Sequence, residues 1–304
     1  MTLMDNTWGV VFVFCVLSTV LSGILTVQVY AYHLKFPKDT PLIKGTVWLV
    51  FILELAHTAF IWVDLYHYII TNFANPFYLI VVDWRTFPPM FLQATLTCIV
   101  QLFYARRCWL VNRKQWIVPL VTAVLTLMSA GAAYYATIYS TRLKTYISFD
   151  YKTWSEVVWM GAGGLADILI IYCILSSLRG PRTGYARIDK GLRALGIYAF
   201  STGALSTILN FTTLILFYAS KKTLWYIGIS FMLSRVYSIS LMASLNLRGA
   251  WTRDADTEYI VGTEDAWFMT LECMGVTPNP TDPSDGHSSG SVIEIAAVST
   301  CISP

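Results

Sequence analysis

The chain has 304 residues, of which 56% are hydrophobic and only 13% charged, with a formal charge of +3. Soluble domains carry about 25% charged residues, so this composition excludes an ordinary soluble domain and fits a chain whose length is used up by membrane spans. The small positive surplus leaves no basis for a nucleic-acid partner; the partner implied first is a lipid bilayer.

The first apolar run covers residues 8–32 and is preceded by Asp5 and by no Lys or Arg. A secretory signal has a basic start and an apolar core of about 7–15 residues. This run is too long and has the wrong flank, so it is expected to be a retained span. Six more apolar runs follow at about 47–70, 87–110, 116–139, 154–178, 192–218 and 224–247, the run at 87–110 being entered through Pro88-Pro89. About 20 apolar residues cross a hydrocarbon core of roughly 30 Å. Trp8, Tyr32, Trp116, Tyr139, Trp154, Tyr218 and Trp225 stand near the run ends, where an interfacial aromatic belt belongs. The expected fold is all-α, a seven-transmembrane helix bundle over residues 1–250.

Basic residues set the expected orientation. The connections after the first, third and fifth runs, with the segment after the seventh, hold 14 Lys and Arg; the opposite side holds 6, and Arg235 lies inside the last run. Cytoplasmic loops carry the excess, so the N-terminus is expected outside and the C-terminal tail in the cytoplasm. Residues 251–304 turn acidic and then rich in Pro, Ser, Asp and Gly, the composition of a flexible tail. None of the six cysteines falls in an exterior connection, so no external disulfide is expected.

Candidate chemistry begins in the second run, where Glu54, His57 and Asp64 interrupt an apolar stretch. At about 100° per residue they share one helix face. Ionisable groups are expensive against lipid, so that face is expected to point into the bundle. Asp167 lies near the middle of the fifth run and Arg235 near the middle of the seventh, at a depth similar to His57 and Glu54. A midplane Arg must find an acid or water. Arg235 is therefore expected to pair with Asp167 or Glu54, with Gln28, Gln101 and Asn210 as hydrogen-bonding neighbours. These eight residues form one expected buried polar cluster. Its alternatives are a structural fastening between helices, a ligand or solute pocket, and, least favoured, a catalytic site.

Glu54-x-x-His57 has the spacing of a helical metal half-site. The other histidines, His33, His67 and His287, fall at span ends or in the tail and cannot gather there. No metal, cofactor or catalytic residue is expected, and an enzyme is disfavoured. A retinal protein needs a mid-span Lys in its last helix, where this chain has Arg235.

Three stretches resemble a known family. Gly23-x4-Gln28-x-Tyr30-x-Tyr32 with Phe36-Pro37-x-Asp39, Lys44 and Leu53-Glu54-x-x-His57 is similar to the opening of a large fungal, mainly basidiomycete, seven-span membrane family. Val100-Gln101-x-Phe103-Tyr104-Ala105-x-Arg107 resembles its third span. Arg235-Val236-Tyr237-Ser238-x-Ser240-Leu241-x-Ala243-Ser244-Leu245-Asn246-x-Arg248 resembles its closing signature. The family is catalogued only as a domain of unknown function, so the resemblance implies a fold and a fungal source and no activity.

The function these features favour is a receptor-like or sensor module that binds a small lipophilic ligand and meets a cytoplasmic partner through its basic inner loops and tail. The alternatives are a proton-coupled small-solute transporter using the buried Glu/His/Asp/Arg cluster, and a structural membrane protein. The expected location is the plasma membrane or another membrane of the secretory pathway.

Overall fold

In hydrocarbon a backbone N–H or C=O has no water to bond, so an apolar run must satisfy its own backbone by coiling. The computed structural model shows this outcome. It describes residues 5–72, 75, 81, 83–111, 116–140, 142, 154–178, 186–219 and 223–247. Seven long helices run in order: α1 (Val10–Lys35), α2 (Pro41–Tyr66), α3 (Phe87–Val111), α4 (Ile117–Ser140), α5 (Trp154–Leu178), α6 (Ala186–Ala219) and α7 (Trp225–Asn246). The predicted tail, residues 251–304, lies outside the described residues.

Both ends of α2 differ from its apolar run for local reasons. α2 begins at Pro41, six residues before the run starts, behind an extended Thr40. Proline suits the first turn, where its missing N–H would have had no partner. Past Tyr66 the chain continues as one π-helical turn, His67–Thr71, closed by Asn72 N–H donating to His67 O at 3.2 Å. Between α1 and α2 only residues 36–40 intervene. There Tyr32 OH donates to Asp39 Oδ2 at 2.7 Å and Lys44 Nζ to Pro37 O at 2.5 Å, which holds the turn tight.

Six stretches are long and apolar enough to cross a membrane: Thr7–Lys35, Pro41–Thr71, Trp84–Leu110, Ile117–Tyr139, Trp154–Ser176 and Trp225–Asn246; Gly203–Ala219 is a shorter apolar stretch within α6. Their outward faces are apolar. Phe12, Val16 and Val20 on α1, Leu49, Ile52 and Leu55 on α2, and Leu120, Val124 and Leu127 on α4 are all exposed. A water-soluble protein does not tolerate continuous apolar faces of this extent. Covered by lipid they cost nothing, and the chain is an integral membrane protein.

The interior is mainly apolar but carries buried polar side chains, among them Glu54, His57, Asp167 and Arg235. α7 is buried along most of its length and packs against α1, α2, α3 and α6, while α4, α5 and α6 follow one another round the other side. Close approach of α1 and α7 relies on Gly228, where an added Cβ would lie 2.6 Å from Phe14 Cδ2. Two apolar clusters sit at opposite ends of the contact between α1, α2 and α7. One includes Trp8, Cys15, Ile61, Tyr68 and Phe231; the other includes Leu25, Val29, Val50, Leu241 and Met242. Between them on each helix lies a polar layer.

Candidate functional site

That layer is built around Arg235. On α7 it falls between Phe231 and Leu241, on α2 Glu54 falls between Val50 and Ile61, and on α1 Ser18 falls between Cys15 and Leu25. Arg235 and Glu54 are 0% and 2% exposed and form an ion pair through Nη1 and Oε2. Every guanidinium nitrogen is engaged. Nε donates to Ser18 Oγ at 3.1 Å, Nη1 to Glu54 O at 3.3 Å, and Nη2 to Thr58 Oγ1 at 2.9 Å. Ser238 Oγ donates to Glu54 Oε1 at 2.5 Å. A buried charge is tolerated only when paired and surrounded by hydrogen-bond partners, and this one has both. His57 completes the layer. Its Nδ1 lies 3.2 Å from Ser234 Oγ and 3.9 Å from Glu54 Oε2, and its buried Nε2 has no hydrogen-bond partner.

A second cluster closes on the opposite face of α7. Asp167 on α5 is buried and accepts from neutral donors. Gln101 Nε2 on α3 reaches Oδ1 at 2.9 Å, Asn210 Nδ2 on α6 lies 3.4 Å from Oδ2, and Tyr237 OH on α7 donates to Oδ2. Gln101 Nε2 also donates to Gly163 O at 3.1 Å, and Asn210 Nδ2 to Tyr237 OH at 3.0 Å. Arg235 takes Glu54 as its acid, so the two partners weighed for it fall into separate clusters. Two residues of α7, Arg235 and Tyr237, thus fasten it to α1 and α2 on one side and to α3, α5 and α6 on the other.

The remaining expected residues go elsewhere. Asp64 Oδ1 accepts from Thr86 Oγ1 at 3.1 Å, just before α3. Beside it Tyr68 OH donates to Val81 O at 2.8 Å and accepts from Asp83 N at 3.0 Å, with the Trp8 ring stacked on Tyr68 at 3.9 Å. Asp83 Oδ1 takes Arg85 Nη1 at 3.0 Å, and Asp83 Oδ2 lies 3.6 Å from His67 Nε2. Gln28 joins none of these groups. Its backbone carbonyl accepts from Asn246 Nδ2 at 2.9 Å, and its side-chain Oε1 has no partner.

Space for a ligand is unevenly distributed. The cavities beside Asp167 and Asn210 hold about 20 Å³ and 10 Å³, room for a water molecule or a small ion. A groove of about 470 Å³ opens at the Tyr66 end of α2, lined by Trp62, Val63, Tyr66, His67, Thr71 and Arg85. That volume is in the range of small-molecule sites.

Sequence reasoning missed Tyr237, Ser238, Ser18, Thr58 and Ser234. A signal was present, since Ser234-Arg235-Val236-Tyr237-Ser238 sets four polar side chains in one turn of an otherwise apolar helix. The model of a family described as "Family of unknown function (DUF6534)" matches residues 163–250, the stretch that carries Asp167, Asn210, Arg235 and Tyr237. No curated protein and no solved structure matches the chain. The match likens residues 163–250 to a domain of unknown function.

Proposed function

We propose that the chain is a seven-span, receptor-like sensor, with its N-terminus outside and its tail in the cytoplasm, that binds a small lipophilic ligand with an acidic head group. α6 supplies the seventh span: its 34 residues extend about 51 Å at 1.5 Å each. The ligand occupies the groove at the Tyr66 end of α2, its chain against Trp62, Val63 and Tyr66 and its anionic head toward Arg85 and His67, where it competes with the Asp83 carboxylate that both already face. The expected membrane is the plasma membrane or another of the secretory pathway. The basic inner loops and tail would meet a cytoplasmic partner or anionic lipid.

The observation that carries this reading is the continuity of α2. One helix lines the ligand-sized groove and, 12 residues or about 18 Å away, holds Glu54 against Arg235 of α7. Occupancy of the groove that shifts α2 changes that contact, and α7 is the element on which both buried clusters close.

The test is binding of a fluorescent oleate analogue to the chain in nanodiscs. Saturable binding is expected, weakened about 10-fold or more by Arg85→Ala, the scale of losing a charge-assisted hydrogen bond. Signal no greater than that of empty nanodiscs refutes the reading. Proton-driven solute uptake into proteoliposomes, abolished by Glu54→Gln, would assign the chain to a proton-coupled transporter instead.

A further inference from the structure

Asp167 is the acid of its cluster, and the side chains that donate to it, Gln101, Asn210 and Tyr237 with Ser206 beside them, are neutral. The nearest buried cation, Arg235, is committed to Glu54. Among the described residues no basic side chain pairs with Asp167. A carboxylate in the middle of a bilayer without a counter-charge is costly, even with hydrogen bonds.

The cavity beside it supplies what a counter-ion needs. It measures about 20 Å³; Asp167, Gln101 and the hydroxyl-bearing Tyr104, Ser206, Tyr237 and Ser240 form its polar wall, and Ile170, Ile174 and Val236 its apolar one. Gln101 is 1% exposed. Its Nε2 is spent on Asp167 and Gly163 O, while its Oε1, a buried acceptor on a side chain that lines the cavity, has no hydrogen-bond partner. The donor set is all oxygen, the choice of hard cations, with no sulfur or imidazole to favour a transition metal. The volume suits one ion stripped of most of its water. One acid suits one positive charge.

We propose that Asp167, Gln101 Oε1 and the hydroxyls around this cavity form a binding site for a small monovalent cation, sodium. The ion takes the carboxylate and the amide oxygen as its strongest ligands and the Ser206 and Ser240 hydroxyls as further ones. It ties α3, α5, α6 and α7 together at one level, because each contributes a wall of the cavity. This site stands independently of the ligand groove at α2.

The test uses the full chain in nanodiscs and two measurements. The first is equilibrium binding of radioactive sodium, expected at about one ion per chain and displaced by unlabelled sodium better than by potassium. The second is the thermal unfolding midpoint in sodium chloride against choline chloride at equal ionic strength. With sodium about 100-fold above its dissociation constant, the midpoint is expected to rise by about 5 °C or more. Asp167→Asn, which keeps the side chain's shape, abolishes both effects, and Ser240→Ala, which keeps the acid, weakens sodium binding several-fold. No sodium binding by wild type overturns the proposal, as does equal displacement by choline. Sodium binding unchanged in Ser240→Ala overturns it too, which keeps the test decisive should Asp167→Asn fail to fold.

Discussion

Removing one charge of the Arg235–Glu54 pair leaves the other buried without its partner. In Glu54→Gln, Arg235 keeps Ser18 Oγ, Thr58 Oγ1 and the backbone carbonyl of residue 54, but these are neutral acceptors. In Arg235→Met, the Glu54 carboxylate keeps the Ser238 hydroxyl, with His57 Nδ1 3.9 Å away. Each single change should destabilise the fold by about 3–5 kcal/mol, the cost of breaking a buried ion pair by removing one member. The double variant Glu54→Gln with Arg235→Met buries no charge. Ser18 retains Phe231 O as an acceptor and Thr58 retains Glu54 O. Its total cost should therefore be about 1–3 kcal/mol, well below the sum of the single costs. The assay is unfolding by sodium dodecyl sulfate in mixed micelles, followed by tryptophan fluorescence, on all four proteins. Single costs that add within about 0.5 kcal/mol mean that the two residues do not interact, and the polar layer would have to be redrawn.

Other predictions concern packing and the ends of the bundle. Gly228→Leu should cost about 1–3 kcal/mol in the same assay, because the new side chain meets Phe14 across the α1–α7 contact, whereas Gly131→Ala, with nothing within 4 Å, should be neutral or slightly stabilising. Tyr68→Phe should cost about 1–3 kcal/mol, since it removes the acceptor of Asp83 N and the donor to Val81 O while keeping the ring stacked on Trp8. A cost below about 0.3 kcal/mol would show that those bonds are replaced by water. Asn210→Leu should cost about 1–3 kcal/mol, because it deprives both Tyr237 OH and Asp167 of a donor, and an unchanged midpoint would contradict the cluster.

Helices were readable in this sequence because lipid leaves an apolar run only one way to satisfy its backbone. The apolar run at 154–178 coincides with the helix α5 (Trp154–Leu178), and the run at 87–110 differs from α3 by one residue. Ends set by local chemistry were less legible. The start of α2 depends on Pro41 and an extended Thr40, which lie before the apolar residues begin. In the site, depth was legible and azimuth was not. Counting along the helices puts Arg235, Asp167 and Glu54 at similar levels. Which acid Arg235 meets depends on how α7 is rotated against two different sets of neighbours. Tyr237, two residues on, projects about 200° away from Arg235 and so takes Asp167, the partner that sequence alone left open. Gln28 illustrates the same limit, since it lies in a polar-spaced position on α1 but meets Asn246 at the end of α7. Asp64 was grouped with Glu54 and His57 by their shared face, yet ten residues of rise carry it about 15 Å along α2 to Thr86.

The sensor account requires that the groove and the α2–α7 contact be thermodynamically linked, because coupling between two sites is reciprocal. The direct measurement is the dissociation constant of the fluorescent oleate analogue for wild type and for Ser238→Ala in nanodiscs. That substitution removes one hydrogen bond to Glu54 Oε1 while keeping both charges, and it lies far from the groove. The account predicts that the affinity changes by about 5-fold or more, in line with a coupling on the order of 1 kcal/mol. Identical affinities in the two proteins would contradict it, leaving the Arg235–Glu54 layer as a fastening between helices that no ligand in the groove can move.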